Sequence, residues 1–109
     1  MTDQLRQRIV DTISKDRVML FMKGTPQMPQ CGFSAAVVGV LNEIGAPFGS
    51  YNILADAELR EGLKEYSSWP TYPQLYVAGK LVGGADIVRA LHQSGELASL
   101  VEPTVVDAK

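Results

Sequence analysis

The residue with the clearest capacity for chemistry is Cys31, the only cysteine of the 109-residue chain, in the segment Cys31-Gly32-Phe33-Ser34. Ser34 stands where a dithiol redox motif has its second sulfur, so the chain cannot form an internal disulfide. Any reaction or ligation that needs another sulfur must take it from a different molecule. The sequence therefore predicts a monothiol site.

The predicted surroundings of Cys31 favour a thiolate. A helix is expected to begin directly after the cysteine, where free backbone N–H groups and the helix dipole lower the pKa of a thiol. Lys23, at the end of the preceding predicted strand, can add a positive charge on the same side. The alternative is a buried cysteine that acts as a small apolar residue. Pro29 in the preceding loop and Gly32 after the cysteine favour an open helix start, and hence a functional thiol.

Composition excludes several classes of protein. The net charge is −2 and the basic residues are scattered, so no basic surface for nucleic acid is expected. Apolar runs are far shorter than the roughly 20 residues of a membrane helix. A single cysteine and a polar N-terminal stretch without a signal pattern predict a cytoplasmic protein, or one of an organellar matrix after removal of a targeting segment.

Periodicity and turn residues give the order of the elements that must position this thiol. Helices are predicted at 2–15, at 32–44, after an Asp56 N-cap, after an Asp86 N-cap and around Leu97 and Leu100. Strands are predicted at 18–22, 48–53, 74–77 and 81–82, the last two as a hairpin. Residues 1–102 are expected to form one domain, and 103–109 a flexible tail.

The order of these elements predicts an α/β fold. The first two strands are joined by a crossover helix and should be parallel, whereas the hairpin must be antiparallel. A four-stranded mixed sheet with helices on both faces follows. The sequence has no internal repeat.

Four segments in order resemble the monothiol glutaredoxins of the C-G-F-S type, and the resemblance extends over nearly the whole chain. They are Phe21-Met22-Lys23-Gly24-Thr25-Pro26, Cys31-Gly32-Phe33-Ser34, residues 69–76 (WPTYPQLY) and Gly83-Gly84-Ala85-Asp86. The resemblance implies a thioredoxin-like fold, glutathione binding, and a dimer that holds a [2Fe-2S] cluster for delivery to recipient iron–sulfur apoproteins. It also implies BolA-like proteins as partners in cluster-bridged heterodimers.

The number of sulfurs agrees with that implication. A [2Fe-2S] cluster usually takes four ligands, commonly thiolates. Two chains supply two Cys31 thiolates, and two glutathione thiols would complete the set. Zinc bound within one chain is not expected, because Cys31 and the single histidine, His92, fall short of four ligands. His92 is interpreted as a surface residue.

The resemblance also implies the residues of a glutathione site. Lys23 and Arg60 would bind carboxylate, although Arg60 could instead be a solvated surface charge; Lys64 is interpreted as solvated. Tyr72-Pro73 is expected to be cis, with the backbone before the proline pairing with the cysteinyl unit of glutathione. The complete predicted set is Lys23, Cys31, Arg60, Thr71, Tyr72, Pro73, Gly84, Ala85 and Asp86.

One departure from the family pattern restricts the chemistry. Many relatives have a cysteine where Ala85 stands, so this chain has no second internal thiol to resolve a mixed disulfide. The cluster role needs only Cys31. Two alternatives stay open: a glutathione-dependent oxidoreductase with Cys31 as nucleophile, expected to be weak because of the loop 25–29, and an adaptor for a BolA-like partner.

Overall fold

The computed structural model describes residues 1–102, and the predicted tail 103–109 lies outside this range. The helices and strands follow the predicted order, with a short 3₁₀ turn at Ile53–Ala55 before the third helix. The helices are α1 (Asp3–Ile13), α2 (Gly32–Ile44), α3 (Ala57–Ser67), α4 (Ala85–Ser94) and α5 (Glu96–Val101). The strands are β1 (Val18–Met22), β2 (Gly49–Asn52), β3 (Gln74–Val77) and β4 (Lys80–Gly83).

The four strands form one mixed sheet in the order β2-β1-β3-β4. Strands β1 and β2 are parallel, as expected for two strands joined by the crossover helix α2. Strand β3 pairs antiparallel with both β1 and β4. The predicted α/β fold, with a four-stranded mixed sheet, is therefore confirmed.

Hydrophobic side chains from the two faces of the sheet form two separate cores. One core packs the sheet against α2, α4 and α5, and contains Leu20, Met22 and Leu41. The other packs it against α1 and α3, and contains Met19, Phe21 and Leu63. Every residue of β1 is buried because helices cover both faces, which explains its uninterrupted apolar sequence. Within residues 1–102, no helix is long and apolar enough to cross a membrane.

The start of α3 is fixed by Asp56, which confirms the predicted N-cap. Its Oδ1 accepts a hydrogen bond from the backbone N–H of Leu59 (3.1 Å). Its Oδ2 accepts one from the Tyr51 hydroxyl (2.5 Å) and a second from the Arg8 guanidinium. Desolvation raises the pKa of Asp56, but the hydrogen bonds from Tyr51 and Arg8 outweigh it and lower the pKa to about 2.

Asp56→Asn is expected to lower the free energy of unfolding at pH 7 by about 2 kcal/mol, because the depressed pKa stabilises the fold only while Asp56 is ionised. Asparagine is a good N-cap, so the substitution removes mainly the charge. The stability difference between wild type and variant should be full above pH 4 and shrink as the pH falls towards 2. Urea unfolding at several pH values measures it. A stability difference that stays constant from pH 4 to pH 2 would contradict the lowered pKa of Asp56.

Candidate functional site

Cys31 lies at the junction of a closed loop and the first turn of α2. The loop follows β1 and is closed by a hydrogen bond from the backbone N–H of Gln30 to the carbonyl oxygen of Lys23 (2.8 Å). Cys31 itself has extended backbone (φ −153°, ψ 136°) and occupies the N-cap position, but its side chain makes no capping hydrogen bond. The thiol is partly exposed. The predicted position of Cys31 at the start of the helix is therefore confirmed.

The first turn of α2 lowers the pKa of the Cys31 thiol. The largest cause is the backbone N–H of Ser34, and partial burial opposes it. The backbone N–H of Phe33, the charge of Lys23 and the Ser34 side chain lower the pKa further. Fixed donors at a helix N-terminus favour the thiolate in this way.

Ser34 has a structural role as well. Its side chain is fully buried, and Oγ accepts a hydrogen bond from the backbone N–H of Lys23 (3.1 Å). A hydroxyl that accepts one hydrogen bond still has its own proton to donate. Ser34 therefore joins the end of β1 to the first turn of α2, with the proton available to the sulfur of Cys31.

Ser34→Ala is expected to raise the pKa of Cys31 and to destabilise the fold by about 1 kcal/mol, because the partly buried backbone N–H of Lys23 loses its acceptor. The rate of alkylation by iodoacetamide as a function of pH measures the pKa, and urea unfolding measures stability. Phe33→Ala is the matched control, since it keeps the backbone N–H that faces the sulfur. An unchanged alkylation profile in Ser34→Ala would show that the hydroxyl does not act on the thiol.

A cavity of about 830 Å³ opens beside Cys31, within the size range of small-molecule sites. The structure brings all nine predicted residues to its wall: Lys23, Cys31, Arg60, Thr71, Tyr72, Pro73, Gly84, Ala85 and Asp86. Six further residues complete the lining: Phe33, Leu54, Lys64, Trp69, Pro70 and Ile87. The shared location agrees with one binding site, while the contribution of each residue to binding stays a prediction.

The turn before β3 forms one wall of this cavity. The Tyr72-Pro73 peptide bond is cis, as expected. Gln74 is fully buried and stabilises the turn: its side-chain amide nitrogen donates hydrogen bonds to the carbonyl oxygens of Trp69 (3.1 Å) and Thr71 (3.2 Å). The hydroxyl of Tyr72 donates to the carbonyl oxygen of Arg60 (2.8 Å), which ties the turn to α3. Burial raises the pKa of Tyr72 well above its usual range, so it stays a neutral donor.

Three cationic side chains reach the cavity from two elements. Lys23 follows β1, whereas Arg60 and Lys64 lie one turn apart on the same face of α3. The two cationic side chains of α3 are each about one-third exposed, 32% for Arg60 and 33% for Lys64. Lys64, interpreted from the sequence as solvated, lines the same cavity as Arg60 while its side chain stays partly exposed.

The start of α4 also lines the cavity, next to this turn, and here one prediction is wrong. The N-cap is Gly84, not Asp86, and α4 begins at Ala85. A Cβ at Gly84 would lie 3.3 Å from the carbonyl oxygen of Pro73 and from Nε1 of Trp69, so the close approach to the turn favours glycine. Asp86 is consequently within the first turn. The first-turn N–H groups lack intrahelical acceptors, and no side chain within residues 1–102 caps them.

Comparison with known proteins agrees with this architecture. The family model described as Glutaredoxin matches residues 18–82. The chain belongs to the glutaredoxin family. It is 53% identical over 102 residues to the uncharacterized monothiol glutaredoxin ycf64-like of Synechocystis, covering 94% of this chain and 95% of that one. It is 50% identical to the mitochondrial monothiol glutaredoxin-5 of Saccharomyces cerevisiae, covering 94% of this chain and 70% of that one.

Solved glutaredoxin structures have the same fold. The solution structure of reduced poplar apo GrxS14 superposes with a TM-score of 0.76 at 52% identity, covering 87% of both chains. The holo form of poplar glutaredoxin C1 superposes with a TM-score of 0.82 at 25% identity, covering 91% of this chain and 87% of that one. The predicted thioredoxin-like fold and monothiol glutaredoxin family are thus confirmed.

The glutaredoxin cavity includes apolar residues that sequence reasoning missed. Phe33, Leu54 and Ile87 line it while remaining 60%, 46% and 38% exposed. The sequence could have identified Phe33 as a cavity residue, because it stands two residues after Cys31. No sequence feature indicated Leu54 or Ile87, because only the folded chain brings the 3₁₀ turn and α4 to the same opening.

Proposed function

We propose that this glutaredoxin binds glutathione in the cavity beside Cys31, and that two chains and two glutathiones hold a [2Fe-2S] cluster as cargo for recipient iron–sulfur apoproteins. The observation that carries the proposal is a partly exposed thiol of lowered pKa at a cavity that also contains three cations. A thiolate is the usual ligand of such clusters, and the cations suit a ligand with carboxylates.

The chemistry of the cavity supports glutathione as the ligand. Glutathione has a glycine carboxylate at one end, which Lys23, Arg60 and Lys64 can attract. At the other end its γ-glutamyl group carries an amine and a carboxylate. The amine suits the Asp86 carboxylate, and the carboxylate suits the uncapped N–H groups at the start of α4. The backbone beside the cis Tyr72-Pro73 bond would pair with the cysteinyl unit between them.

The donor set of one chain fits a shared cluster. Among residues 1–102, no group of three or more His, Cys, Asp or Glu side chains is arranged to hold a metal ion. In the proposed arrangement Cys31 supplies one ligand, and the remaining three come from a second chain and from two glutathiones. The exposed apolar side chains Phe33, Leu54 and Ile87 surround the opening, where burial against a second chain would be favourable.

Anaerobic reconstitution with iron, sulfide and reduced glutathione tests the proposal. The wild-type protein should become brown, show visible charge-transfer absorption and elute as a dimer. Omission of glutathione should prevent both colour and dimer formation. A wild-type protein that stays colourless and monomeric with all three components present would refute the cluster role.

The lowered pKa of Cys31 favours a second activity, reduction of protein–glutathione mixed disulfides. The Cys31 thiolate would attack the glutathionyl sulfur, release the substrate thiolate and form a Cys31–glutathione disulfide. A second glutathione thiolate would then attack that sulfur, which regenerates Cys31 and gives oxidised glutathione. No second protein thiol is needed. Turnover in a glutathione-coupled assay tests this activity, which we expect to be weak.

Partners and compartment follow from the same proposal. A BolA-like protein is proposed as an alternative second chain in a cluster-bridged heterodimer, and titration of the reconstituted protein with it should change the visible spectrum. The proposed compartment is reducing, either the cytoplasm or an organellar matrix, which suits a free thiol. The yeast relative named above is mitochondrial by its name.

A further inference from the structure

The two α3 cations of the cavity share one carboxylate. Glu61 Oε1 lies 3.1 Å from Lys64 Nζ, and Glu61 Oε2 lies 3.6 Å from Arg60 Nε. The Glu61 side chain is 64% exposed and lies outside the cavity lining. A single acidic side chain at the edge of the site therefore bridges both cations that α3 directs towards it.

The charge of Glu61 acts on the site itself. Its hydrogen bond to Lys64 is the largest cause that lowers the pKa of Glu61, so the carboxylate is ionised at neutral pH. Tyr72 lines the cavity, and its pKa is raised mainly by burial, then by Tyr76, and then by the charge of Glu61. An anion that enters the cavity must approach Arg60 and Lys64 against this fixed negative charge.

We propose that Glu61 is an internal competitor for the ligand carboxylate, and that it sets the affinity of the cavity by occupying Arg60 and Lys64 when glutathione is absent. The inference rests on the proposed glutathione site. Binding of the glycine carboxylate replaces the Glu61 contacts with ligand contacts on the same two cations. Glutathione then binds more weakly than three free cations would allow, which suits a ligand that must be exchanged during cluster transfer.

Glu61→Gln tests the inference, with Glu65→Gln as a matched control. Glu65 lies one turn along α3, is 65% exposed and lies 3.7 Å from the N-terminal ammonium rather than beside a cavity cation. Both variants change the net charge equally. Binding of reduced glutathione and of its glycine monoethyl ester is measured by calorimetry, with thermal unfolding to verify the fold.

Glu61→Gln should bind glutathione about two- to fivefold more tightly than wild type, the range expected for loss of exposed ion pairs. Glu65→Gln should bind it like wild type. The gain should disappear with the monoethyl ester, which lacks the competing carboxylate. Equal affinities of wild type and Glu61→Gln for glutathione, an equal gain in Glu65→Gln, or a gain that persists with the ester would each overturn the inference while leaving the glutathione site intact. Failure of the wild type to bind glutathione would overturn the site as well.

Discussion

Cys31→Ser protein is expected to stay colourless and monomeric after anaerobic reconstitution with iron, sulfide and glutathione. The proposed cluster has one ligand from each chain, and the serine hydroxyl, unlike a thiol of lowered pKa, remains protonated near neutral pH. Without that ligand the two chains lose the group that joins them. Visible absorption measures the loss of the cluster and size-exclusion chromatography the loss of the dimer, and both losses should be complete.

The same substitution should not damage the fold. The Cys31 side chain is partly exposed and makes no capping hydrogen bond, although the residue occupies the N-cap of α2. Serine is among the favoured N-cap residues, so Cys31→Ser should be as stable as wild type or more stable by up to about 1 kcal/mol. A well-folded variant that still forms a coloured dimer would show that other ligands hold the cluster.

Much of the fold was predictable because it depends on local sequence. Glycines and prolines bound the elements, and the apolar run of β1 identified a strand buried on both faces. The position of Cys31 also followed from local sequence, because a loop with two prolines precedes an apolar helix. Such features need no knowledge of which elements meet in space.

The parts that sequence reasoning missed depend on tertiary packing. The sequence predicted Asp86 as an N-cap, but the N-cap lies two residues earlier at Gly84, where the backbone comes close to the turn at Pro73. Lys64 looked solvated because only the packing of α3 against the sheet decides which of its faces meets the cavity. The competition of Glu61 for both α3 cations likewise requires the folded positions of the side chains.

The second large effect is expected at Gly24, the residue after Lys23. Gly24 has φ +93°, and a Cβ there would lie 2.5 Å from the carbonyl oxygen of Met28 and 2.7 Å from the backbone nitrogen of Gln30. Both atoms belong to the backbone of the loop that leads to Cys31, so no side-chain rotation can relieve the contact. The chain must shift here if any other residue replaces glycine.

Gly24→Ala should therefore destabilise the fold by about 2–4 kcal/mol, the range of substitutions that force backbone strain. The backbone N–H of Gly24 donates to Oδ1 of Asn52 (2.9 Å), which also accepts from the N–H of Leu54 (3.0 Å). A displaced loop thus disturbs Lys23, Cys31 and Leu54, which all line the cavity, and glutathione binding should weaken even at temperatures where the variant remains folded. Urea unfolding and calorimetry measure the two effects separately.

Gly39→Ala provides the matched control, because Gly39 lies within α2 and a Cβ there would meet no atom of the described part of the chain outside its own helix backbone within 4 Å. Alanine is the better helix former, so this variant should gain about 0.5–1 kcal/mol and bind glutathione like wild type. If Gly24→Ala were as stable as wild type, the loop would have a relaxed alternative conformation. If it lost stability but kept full affinity for glutathione, the loop would support the fold without shaping the cavity, and the positions of Lys23 and Cys31 would depend on β1 and α2 alone.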